Sequence, residues 1–358
     1  MTADEVTREP RPGEGLDAAR LGEWLEQALP GFAGPLAIRQ FPAGFSNLTY
    51  LLATPGRDYV LRRPPFGTRP RAGNDMLREY RVLAALGPHF RYCPRVLACC
   101  ADESVIGAPF YIAERIRGLI LRRDYPPDLA ATPQRVRVQQ QSLVDVQAEL
   151  HGIDVAAAGL ADLGRAEGYI RRQVEGWTDR YERARTPDAA DARDLSSWLS
   201  ASQPADSPSA ALIHNDYKLD NVVFDADHPE RLIGVLDWEM ATLGDPRMDL
   251  GCSLAYWIEA GDPPWLRATR MLPTHLPGSL TRTEVVARYA AARGLAVEPL
   301  PFFQAFGLFR LAVVAQQIYL RYVQGHSRDE RFAGLGSAAR ALLRAAGVIA
   351  AGRPLGAA

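Results

Sequence analysis

Residues 211–251 constrain this chain more than any other stretch. They read ALIHNDYKLDNVVFDADHPERLIGVLDWEMATLGDPRMDLG, in which two short apolar runs, ALI and LIGVL, each lead into an acidic motif. Asp216 and Asn221 follow the first run, and Asp237 follows the second. Because short runs rich in Leu, Ile and Val predict strands, we expect these polar groups at the rim of a rigid scaffold.

Asp216, Asn221 and Asp237 carry the groups that phosphoryl transfer from a magnesium nucleotide requires. Asp216 and Asn221 belong to the pattern H-N-D-x-x-x-x-N. A helix would place these two side chains on different faces, whereas a loop can direct both of them at one point. Asp216 is the predicted catalytic base, and Asn221 and Asp237 are the predicted ligands of Mg²⁺. Each residue alone fits an ordinary turn, whereas the combination favours the catalytic interpretation.

Other polar residues near this motif have structural interpretations that compete with catalytic ones. His214 is expected to hold the loop by hydrogen bonds. Glu239 is left open between an outer metal ligand and a solvated carboxylate. Asp245 and Asp249 are assigned scaffold roles as helix caps, with Asp249 also a candidate brace for the catalytic loop. His151 is predicted to be a helix-terminal or core histidine.

Composition and charge give no reason to expect a nucleic-acid or membrane partner. The 41 Lys and Arg residues nearly balance the 42 Asp and Glu residues, for a net charge of -1. The four cysteines form no CxxC pair and the polar N-terminus lacks a signal-peptide core, so we expect a reduced, cytoplasmic protein. We also expect no apolar run of the roughly 20 residues that a membrane span needs. The oligomeric state is left open.

The order of the predicted elements, strands first and helices afterwards, indicates an α+β fold. Residues 1–15 are expected to be a flexible tail because they are charged and rich in Pro and Gly. Strands are predicted at 36–41, 48–52, 59–62, 96–100 and 109–114. Helices are predicted at 16–29, 74–86, 134–151, 168–184, 191–199, 247–259, 282–293, 302–323 and 331–350. This pattern predicts an N-terminal lobe at 16–117 and a C-terminal lobe at 118–358.

The predicted N-terminal lobe offers groups that can hold a nucleotide. Ser46 and Asn47 lie in a turn between two strands, where backbone amides can cover phosphates. Arg62 ends the third strand, and arginine grips phosphate in a bidentate fashion. It can also pair with Glu79 in the following helix. The competing interpretation is a pair of surface arginines, Arg62 and Arg63.

The motif HNDYKLDN followed by LDWEMATLGDPRMDLG resembles the aminoglycoside phosphotransferase family, part of the protein-kinase-like superfamily. GFSNLTYLL, YVLRRPP, PFYIAERIRG and ELHGID occur in the matching order, so the resemblance covers roughly residues 20–345. Within the family, the chain is most similar in pattern to the kinase-like domains of acyl-CoA dehydrogenase fusion proteins.

This resemblance implies a two-lobe protein-kinase-like fold, with a small β-rich N-lobe and a large, mostly helical C-lobe. It implies ATP as co-substrate, with GTP as the alternative, and Mg²⁺. The base position of the family falls on Asp216, and the metal positions fall on Asn221 and Asp237. The nucleotide-binding positions fall on Ser46, Asn47, Arg62, Glu79, Glu114 and Ile116, and the last two belong to the hinge that contacts adenine in the family. Among these, Arg62 departs from the usual lysine.

The function predicted on this basis is an ATP-dependent small-molecule kinase that phosphorylates a hydroxyl. A hydroxyacyl-CoA or a hydroxy acid is favoured as acceptor over an aminoglycoside, since one fold hosts many acceptors. The residues expected to contact the acceptor are Arg310, Gln316, Gln317 and Arg321.

Two alternatives stay open. Arg62 suggests a nucleotide-binding pseudokinase or scaffold, which the intact acidic motif disfavours. A metal-dependent hydrolase is the other, because an HxD pair can bind zinc or manganese. Its candidate ligands are His214, Asp216, Asp237 and His228.

Overall fold

The computed structural model describes residues 7–42, 47–66, 75–207, 210–327 and 329–355. The strands are β1 (Ala37–Gln40), β2 (Leu48–Ala53), β3 (Asp58–Arg63), β4 (Val96–Cys100), β5 (Phe110–Glu114), β6 (Ala211–Ile213), β7 (Val222–Phe224), β8 (Leu232–Val235) and β9 (Thr242–Gly244). The helices are α1 (Ala18–Ala28), α2 (Met76–Leu86), α3 (Pro133–His151), α4 (Tyr169–Ala184), α5 (Arg193–Ala201), α6 (Pro246–Ala255), α7 (Pro264–Arg267), α8 (Arg282–Arg293), α9 (Leu300–Val323) and α10 (Leu335–Ala350). The predicted strands and helices are confirmed within a few residues, whereas β7, β9 and α7 were not predicted.

The chain divides into two compact units that do not coincide with the predicted lobe boundary. The first unit comprises Met1–Ile120, Val155–Leu160 and Asn221–Ala241. The second comprises Leu121–Asp154, Ala161–Asp220 and Thr242–Ala358. The prediction of a single boundary after residue 117 is therefore too simple, because two later segments pack with the N-terminal part of the chain.

A five-stranded antiparallel sheet organises the first unit, in the order β1-β2-β3-β5-β4. One face of the sheet packs on α1, where Leu21 and Leu25 are fully buried with Leu61 of β3. Because side chains alternate along a strand, Arg62 projects from the opposite face to Leu61. The alternation of buried and polar residues in β3 thus determines the face of the sheet on which the Arg62 side chain lies.

Residues 7–15 pack against the sheet, so the prediction of a flexible tail is wrong for them. Arg8 and Gln40 exchange two backbone hydrogen bonds of 2.9 and 2.7 Å. The hydroxyl of Tyr50 donates to the Glu14 carbonyl at 2.7 Å. Proline and glycine suggested mobility, but backbone pairing with an edge strand fixes this segment. Residues 1–6 lie outside the described residues.

The β7–β8 hairpin belongs to the first unit although it follows β5 by more than a hundred residues. Leu119 and Phe224 exchange backbone hydrogen bonds of 2.7 and 2.8 Å. Val235 donates its N–H to the Tyr92 carbonyl at 2.8 Å. Gly118 allows this close approach, since a Cβ there would lie 2.2 Å from the Phe224 carbonyl oxygen.

Helices dominate the second unit, and α9 is its central element, packed against α4, α6 and α10. At the crossing of α6 and α9 the two backbones touch. A Cβ added at Gly307 would lie 2.0 Å from the backbone oxygen of Gly251, and one added at Gly251 would lie 2.3 Å from the oxygen of Phe303. The short β6–β9 ladder pairs Ala211 with Gly244.

Gly307→Ala is expected to lower the stability of the folded chain by about 1–3 kcal/mol, because the added methyl group overlaps the backbone of α6. Urea unfolding measures the change. The matched control is Gly347→Ala in α10, where nothing lies within 4 Å of an added Cβ. This control should be neutral or mildly stabilising, since alanine favours a helix over glycine. Equal effects of the two substitutions would contradict the backbone contact.

Among the residues that the structure describes, one segment is long and apolar enough to span a membrane by length and composition alone. Glu330–Ala350 has 21 residues and a mean hydropathy of 1.3, and 33% of its most apolar 18 residues are buried. This corrects the expectation that no run reaches such a length. Within this segment, α10 packs on α9 and buries Leu342 and Leu343, as an apolar core helix also does.

Candidate active site

The loop after β6 holds Asp216 through a fixed backbone. Asn215 adopts the left-handed conformation with φ of 65°, which non-glycine residues rarely take outside functional or turn positions. The backbone N–H groups of His214 and Asn215 donate to Asp249 at 3.1 and 2.6 Å. The Asp216 N–H donates to Nδ1 of His214 at 3.3 Å. The predicted structural role of His214 is therefore confirmed.

Asp249 braces this loop from the first turn of α6 and is fully buried. His151 donates from Nε2 to Asp249 at 2.9 Å, because a carboxylate can only accept, and its Nδ1 then accepts from the Tyr289 hydroxyl at 2.6 Å. The core interpretation of His151 is confirmed. Asp245, by contrast, is the N-cap of α6, as predicted. The cap prediction is wrong for Asp249, whereas its role as a brace is confirmed.

The pKa of Asp249 lies below its ordinary value. Burial opposes the charged form, but the hydrogen bonds from the His151 ring and from the backbone N–H of His214 outweigh it. A depressed pKa stabilises the fold above the unfolded-state pKa of about 3.9, and this contribution disappears as the pH falls through the folded-state value.

Asp249→Asn is expected to lower the melting temperature near neutral pH because it removes this contribution, and the difference from the unmodified protein should shrink as the pH falls below about 4. Thermal unfolding between neutral pH and pH of about 3 provides the measurement. Asp162→Asn is the matched control, since Asp162 is exposed in the same unit. A difference that stays constant with pH would contradict the assignment.

Asp216 lies between a cation and a phenol. The Lys218 ammonium is 2.5 Å from Oδ2 of Asp216, and the Tyr256 hydroxyl donates to Oδ1 at 3.3 Å. Burial disfavours the Lys218 cation, but the carboxylates of Asp216 and Asp220 more than offset it, so the pKa of Lys218 is raised. Burial raises the pKa of the Tyr256 hydroxyl. Asp216 thus has a fixed orientation between the Lys218 cation and the neutral Tyr256 hydroxyl, and its role as a base stays a prediction.

Asn221 and Asp237 lie at the same end of the β7–β8 ladder. Asn221 precedes β7, Asp237 follows β8 after one residue, and the Leu236 N–H donates to the Asn221 carbonyl at 2.8 Å. Asp237 adopts a left-handed conformation with φ of 66°, as Asn215 does. The two predicted metal ligands are therefore neighbours within the first unit, while their role as ligands stays a prediction.

Arg62 joins three carboxylates in the first unit. Its guanidinium lies 3.0 Å from Glu79, 2.9 Å from Asp237 and 3.4 Å from Glu239. Burial opposes the charge, yet these carboxylates hold the pKa of Arg62 above its ordinary range. The predicted Arg62–Glu79 pair is confirmed, and Tyr111 supports it by donating to Glu79 at 3.1 Å.

Arg63 is not at the surface either. It is buried and donates to the Ile106 carbonyl at 2.8 Å. Glu239 is 11% exposed and accepts from Asn47 at 2.6 Å, so the solvated interpretation of Glu239 is wrong. Asn47 thus contacts a carboxylate that also pairs with Arg62. Ser46 lies outside the described residues.

The two predicted hinge residues, Glu114 and Ile116, have separate surroundings. The Glu114 side chain pairs with Arg57 and, at 2.7 Å, with Arg95. Ile116 covers Gly234, where an added Cβ would lie 2.7 Å from its Cδ1. These contacts engage both side chains, and adenine binding by the backbone of this segment stays a prediction.

The predicted acceptor residues on α9 differ in accessibility. Arg310 is buried and lies over Trp177, with 5.1 Å from Cζ to the ring centroid. Gln316 is buried and donates to the Ala184 carbonyl and the Thr186 hydroxyl at 3.1 and 3.0 Å, which marks it as a packing residue. Gln317 is half-buried and Arg321 is exposed. Arg310 interacts electrostatically with Asp216 and Tyr256.

The donor chemistry of the first unit fits Mg²⁺. Asn221 and Asp237 offer an amide and a carboxylate oxygen, and Mg²⁺ needs few protein oxygens when phosphates and waters complete its shell. Across the residues that the structure describes, no group of three or more His, Cys, Asp or Glu side chains is arranged to hold a metal. The hydrolase ligand set is not assembled in the first unit, because His228 lies in the β7–β8 turn and Asp237 at the opposite end of the ladder.

Comparison with known proteins decides the family. The model of the phosphotransferase enzyme family matches residues 37–277. The chain belongs to the phosphotransferase enzyme family. Acyl-CoA dehydrogenase family member 11 from Gallus gallus is 32% identical to this phosphotransferase over 345 residues, covering 92% of the chain and 43% of that protein. The phosphotransferase thus spans less than half the length of this curated relative.

Solved structures establish the fold of the phosphotransferase. A Ralstonia eutropha structure, provisionally named an aminoglycoside phosphotransferase, has a TM-score of 0.80 and 32% identity, covering 95% of this chain and 100% of that one. A ternary complex of aminoglycoside phosphotransferase APH(4)-Ia with AMP-PNP and hygromycin B has a TM-score of 0.54 and 15% identity, covering 91% and 98%. The predicted α+β, protein-kinase-like fold and the predicted family are confirmed, and both are those of small-molecule phosphotransferases.

Sequence reasoning missed two residues of the candidate site in this phosphotransferase. Lys218 and Tyr256 contact Asp216. Lys218 could have been predicted from the sequence, since it lies two residues from Asp216 in the motif. Tyr256 could not have been predicted, because its contact with Asp216 depends on how α6 packs.

Proposed function

We propose that this phosphotransferase transfers the γ-phosphoryl group of ATP to a hydroxyl group of a small molecule. The observation that carries the proposal is the fixed position of Asp216, held by the braced loop and contacted by Lys218 and Tyr256. A carboxylate held in this way is suited to accept the proton of an attacking hydroxyl.

In the proposed reaction, the acceptor oxygen attacks the γ-phosphorus as the bond from that phosphorus to the bridging oxygen breaks. ADP leaves with the bond electrons, and the acceptor proton passes to Asp216. Lys218 and Tyr256 orient the Asp216 carboxylate through the contacts at its two oxygens.

The first unit is proposed to bind the nucleotide. Arg62 provides a permanent cation for phosphate oxygens, and Glu79 holds it in place. Asn221 and Asp237 would hold Mg²⁺, which neutralises developing charge on the phosphates. The AMP-PNP found in a structure of the same fold supports ATP as the nucleotide.

A hydroxyacyl-CoA or a hydroxy acid is the proposed acceptor, ahead of an aminoglycoside. The support is the similarity to proteins named acyl-CoA dehydrogenases, which this chain matches over 43% of the length of one of them. The proposal extends the substrate class named for that relative to the region that this chain matches.

An acceptor screen tests the proposal. ADP release would be followed with ATP and Mg²⁺ over hydroxyacyl-CoAs, hydroxy acids, amino alcohols, sugars and aminoglycosides. We expect acceptor-dependent ADP release and a phosphorylated product that mass spectrometry detects. If all acceptors leave the rate at background, the proposed activity is contradicted.

One observation favours a second function, a nucleotide-binding pseudokinase. Arg62 replaces the usual lysine and its guanidinium contacts Asp237, so the metal-binding carboxylate already has a cation beside it. A pseudokinase would bind nucleotide with little effect of Mg²⁺ and release no ADP. Calorimetric titration with and without Mg²⁺ separates the two functions.

A further inference from the structure

The predicted metal ligand Asp237 begins a tight turn, residues 237–241, which we call the acidic turn. Asp237 adopts the left-handed conformation with φ of 66°, and a single turn of 3₁₀ helix, Trp238–Met240, follows it. A non-glycine residue keeps such a backbone conformation only when its surroundings hold it. The contacts that hold the acidic turn therefore set the position of the Asp237 carboxylate.

Aromatic packing within the first unit holds the acidic turn from one side. Trp238 is fully buried, and its indole N–H donates to the Val235 carbonyl at 2.8 Å. Its ring packs edge-on against Phe90, with 5.9 Å between the ring centroids. These contacts fix Trp238, the residue directly after Asp237.

Arg78 holds the other end of the acidic turn from α2. Its guanidinium donates to the Ala241 carbonyl at 2.5 Å and reaches the Glu239 carbonyl at 3.5 Å. Carbonyl groups at the C-terminal end of a helical turn find no partner within that turn, so a cation placed there is favourable. The Asp75 side chain accepts from the Arg78 backbone N–H at 2.9 Å and caps α2. Arg78 thus joins the capped start of α2 to the backbone of the acidic turn.

Glu79, the next residue of α2, reaches the same turn by a different route. It pairs with Arg62 at 3.0 Å, and Arg62 contacts the Asp237 carboxylate at 2.9 Å. In the proposed function, however, the phosphates of the nucleotide compete for the Arg62 guanidinium. The Arg78 contacts are to backbone carbonyls, so they do not depend on where Arg62 binds.

We propose that Arg78 is a positioning residue for the metal site. By holding the backbone of the acidic turn, it keeps the Asp237 carboxylate in the orientation that binds a divalent cation. This inference rests on the proposed function, because it takes Asp237 as a ligand of Mg²⁺. Since partners that orient a metal ligand affect metal affinity, the contribution of Arg78 should appear in the binding of the cation rather than of the nucleotide.

Arg78→Gln tests the inference through metal binding, without any need for turnover. Paramagnetic titration with Mn²⁺ in the presence of AMP-PNP gives the metal affinity, and calorimetric titration with ATP in EDTA gives the nucleotide affinity without metal. We expect the Mn²⁺ affinity to fall by about 10- to 100-fold and the metal-free nucleotide affinity to stay unchanged. Arg81→Gln is the matched control, because Arg81 is exposed in the same helix and donates to the Leu77 carbonyl of that helix at 3.4 Å. It should leave both affinities unchanged.

Combining Arg78→Gln with Asp237→Asn shows whether Arg78 acts through Asp237. If it does, adding Arg78→Gln to Asp237→Asn lowers the Mn²⁺ affinity by far less than adding it to the unmodified protein. Fully additive effects would overturn the inference, as would equal Mn²⁺ affinities in Arg78→Gln and Arg81→Gln. Equal losses of the Mn²⁺ affinity and of the metal-free nucleotide affinity would show a general loosening of the first unit and would also overturn it.

If Arg78→Gln does not fold, Arg78→Lys takes its place, because lysine keeps the charge but loses the planar fork. A smaller loss of Mn²⁺ affinity is then expected, and no loss would overturn the inference. Failure of the proposed metal site gives a different result, since Asp237→Asn would then leave the Mn²⁺ affinity unchanged. Weaker Mn²⁺ binding in Asp237→Asn together with undiminished binding in both Arg78 variants would overturn this inference alone.

Discussion

Asp216→Asn is expected to lower turnover by about 10²- to 10⁴-fold, the range that a positioned general base contributes. The Asn amide is nearly isosteric with the carboxylate but cannot take the proton of the attacking hydroxyl group. Nucleotide affinity should persist, because the proposed nucleotide-binding residues Arg62, Glu79 and Asp237 belong to the other unit. ADP release under saturating acceptor gives the rate, and calorimetry gives the nucleotide affinity.

Asp220→Asn is the control for this substitution. Asp220 lies 3.5 Å from the same Lys218, so both variants remove one carboxylate from that ammonium. We expect Asp220→Asn to keep turnover within about tenfold of the unmodified protein, as expected for a charge that assists but does not transfer the proton. The assignment of the base fails if Asp216→Asn turns over at a rate close to that of the control.

Asp237→Asn is expected to weaken binding of Mg²⁺ by more than about 100-fold, since even partners that only orient a ligand affect metal affinity by 10–100-fold. The loss of the carboxylate removes the charged one of the two predicted ligands. Paramagnetic titration with Mn²⁺ measures the affinity directly, without any need for turnover. Nucleotide binding should become insensitive to added metal.

Asp227→Asn supplies the comparison for Asp237→Asn. Asp227 is an exposed carboxylate in the β7–β8 turn, at the opposite end of the ladder from Asp237. Removing it changes the net charge of the first unit equally, so any shared effect reflects charge alone. Unchanged Mn²⁺ affinity in Asp237→Asn would exclude Asp237 as a ligand.

The fold was predictable from sequence wherever a pattern was long enough. The alternation in β3 and the helical spacing in α3 predicted these elements closely. β7 and β9 have three residues each, too few for a period, and they became strands because they pair with β8 and β6. The division into units was not predictable, because contacts such as Leu119 with Phe224 depend on the tertiary fold.

The candidate site was predictable where chemistry and spacing coincide. Asn221 and Asp237 were named from the motif, and the β7–β8 ladder makes them neighbours. The environment of Asp216 was less accessible to sequence reasoning. Tyr256 lies forty residues further along the chain, and packing alone brings it to the carboxylate.

Gly251 and Gly307 couple the catalytic loop to the core of the second unit. They join α6, which carries Asp249, to α9, backbone against backbone. Because an added Cβ at either position would overlap the backbone of the other helix, the distance between the two helices is fixed, and so is the position of Asp249 that braces the loop. A substitution at either glycine is therefore expected to disturb catalysis as well as stability.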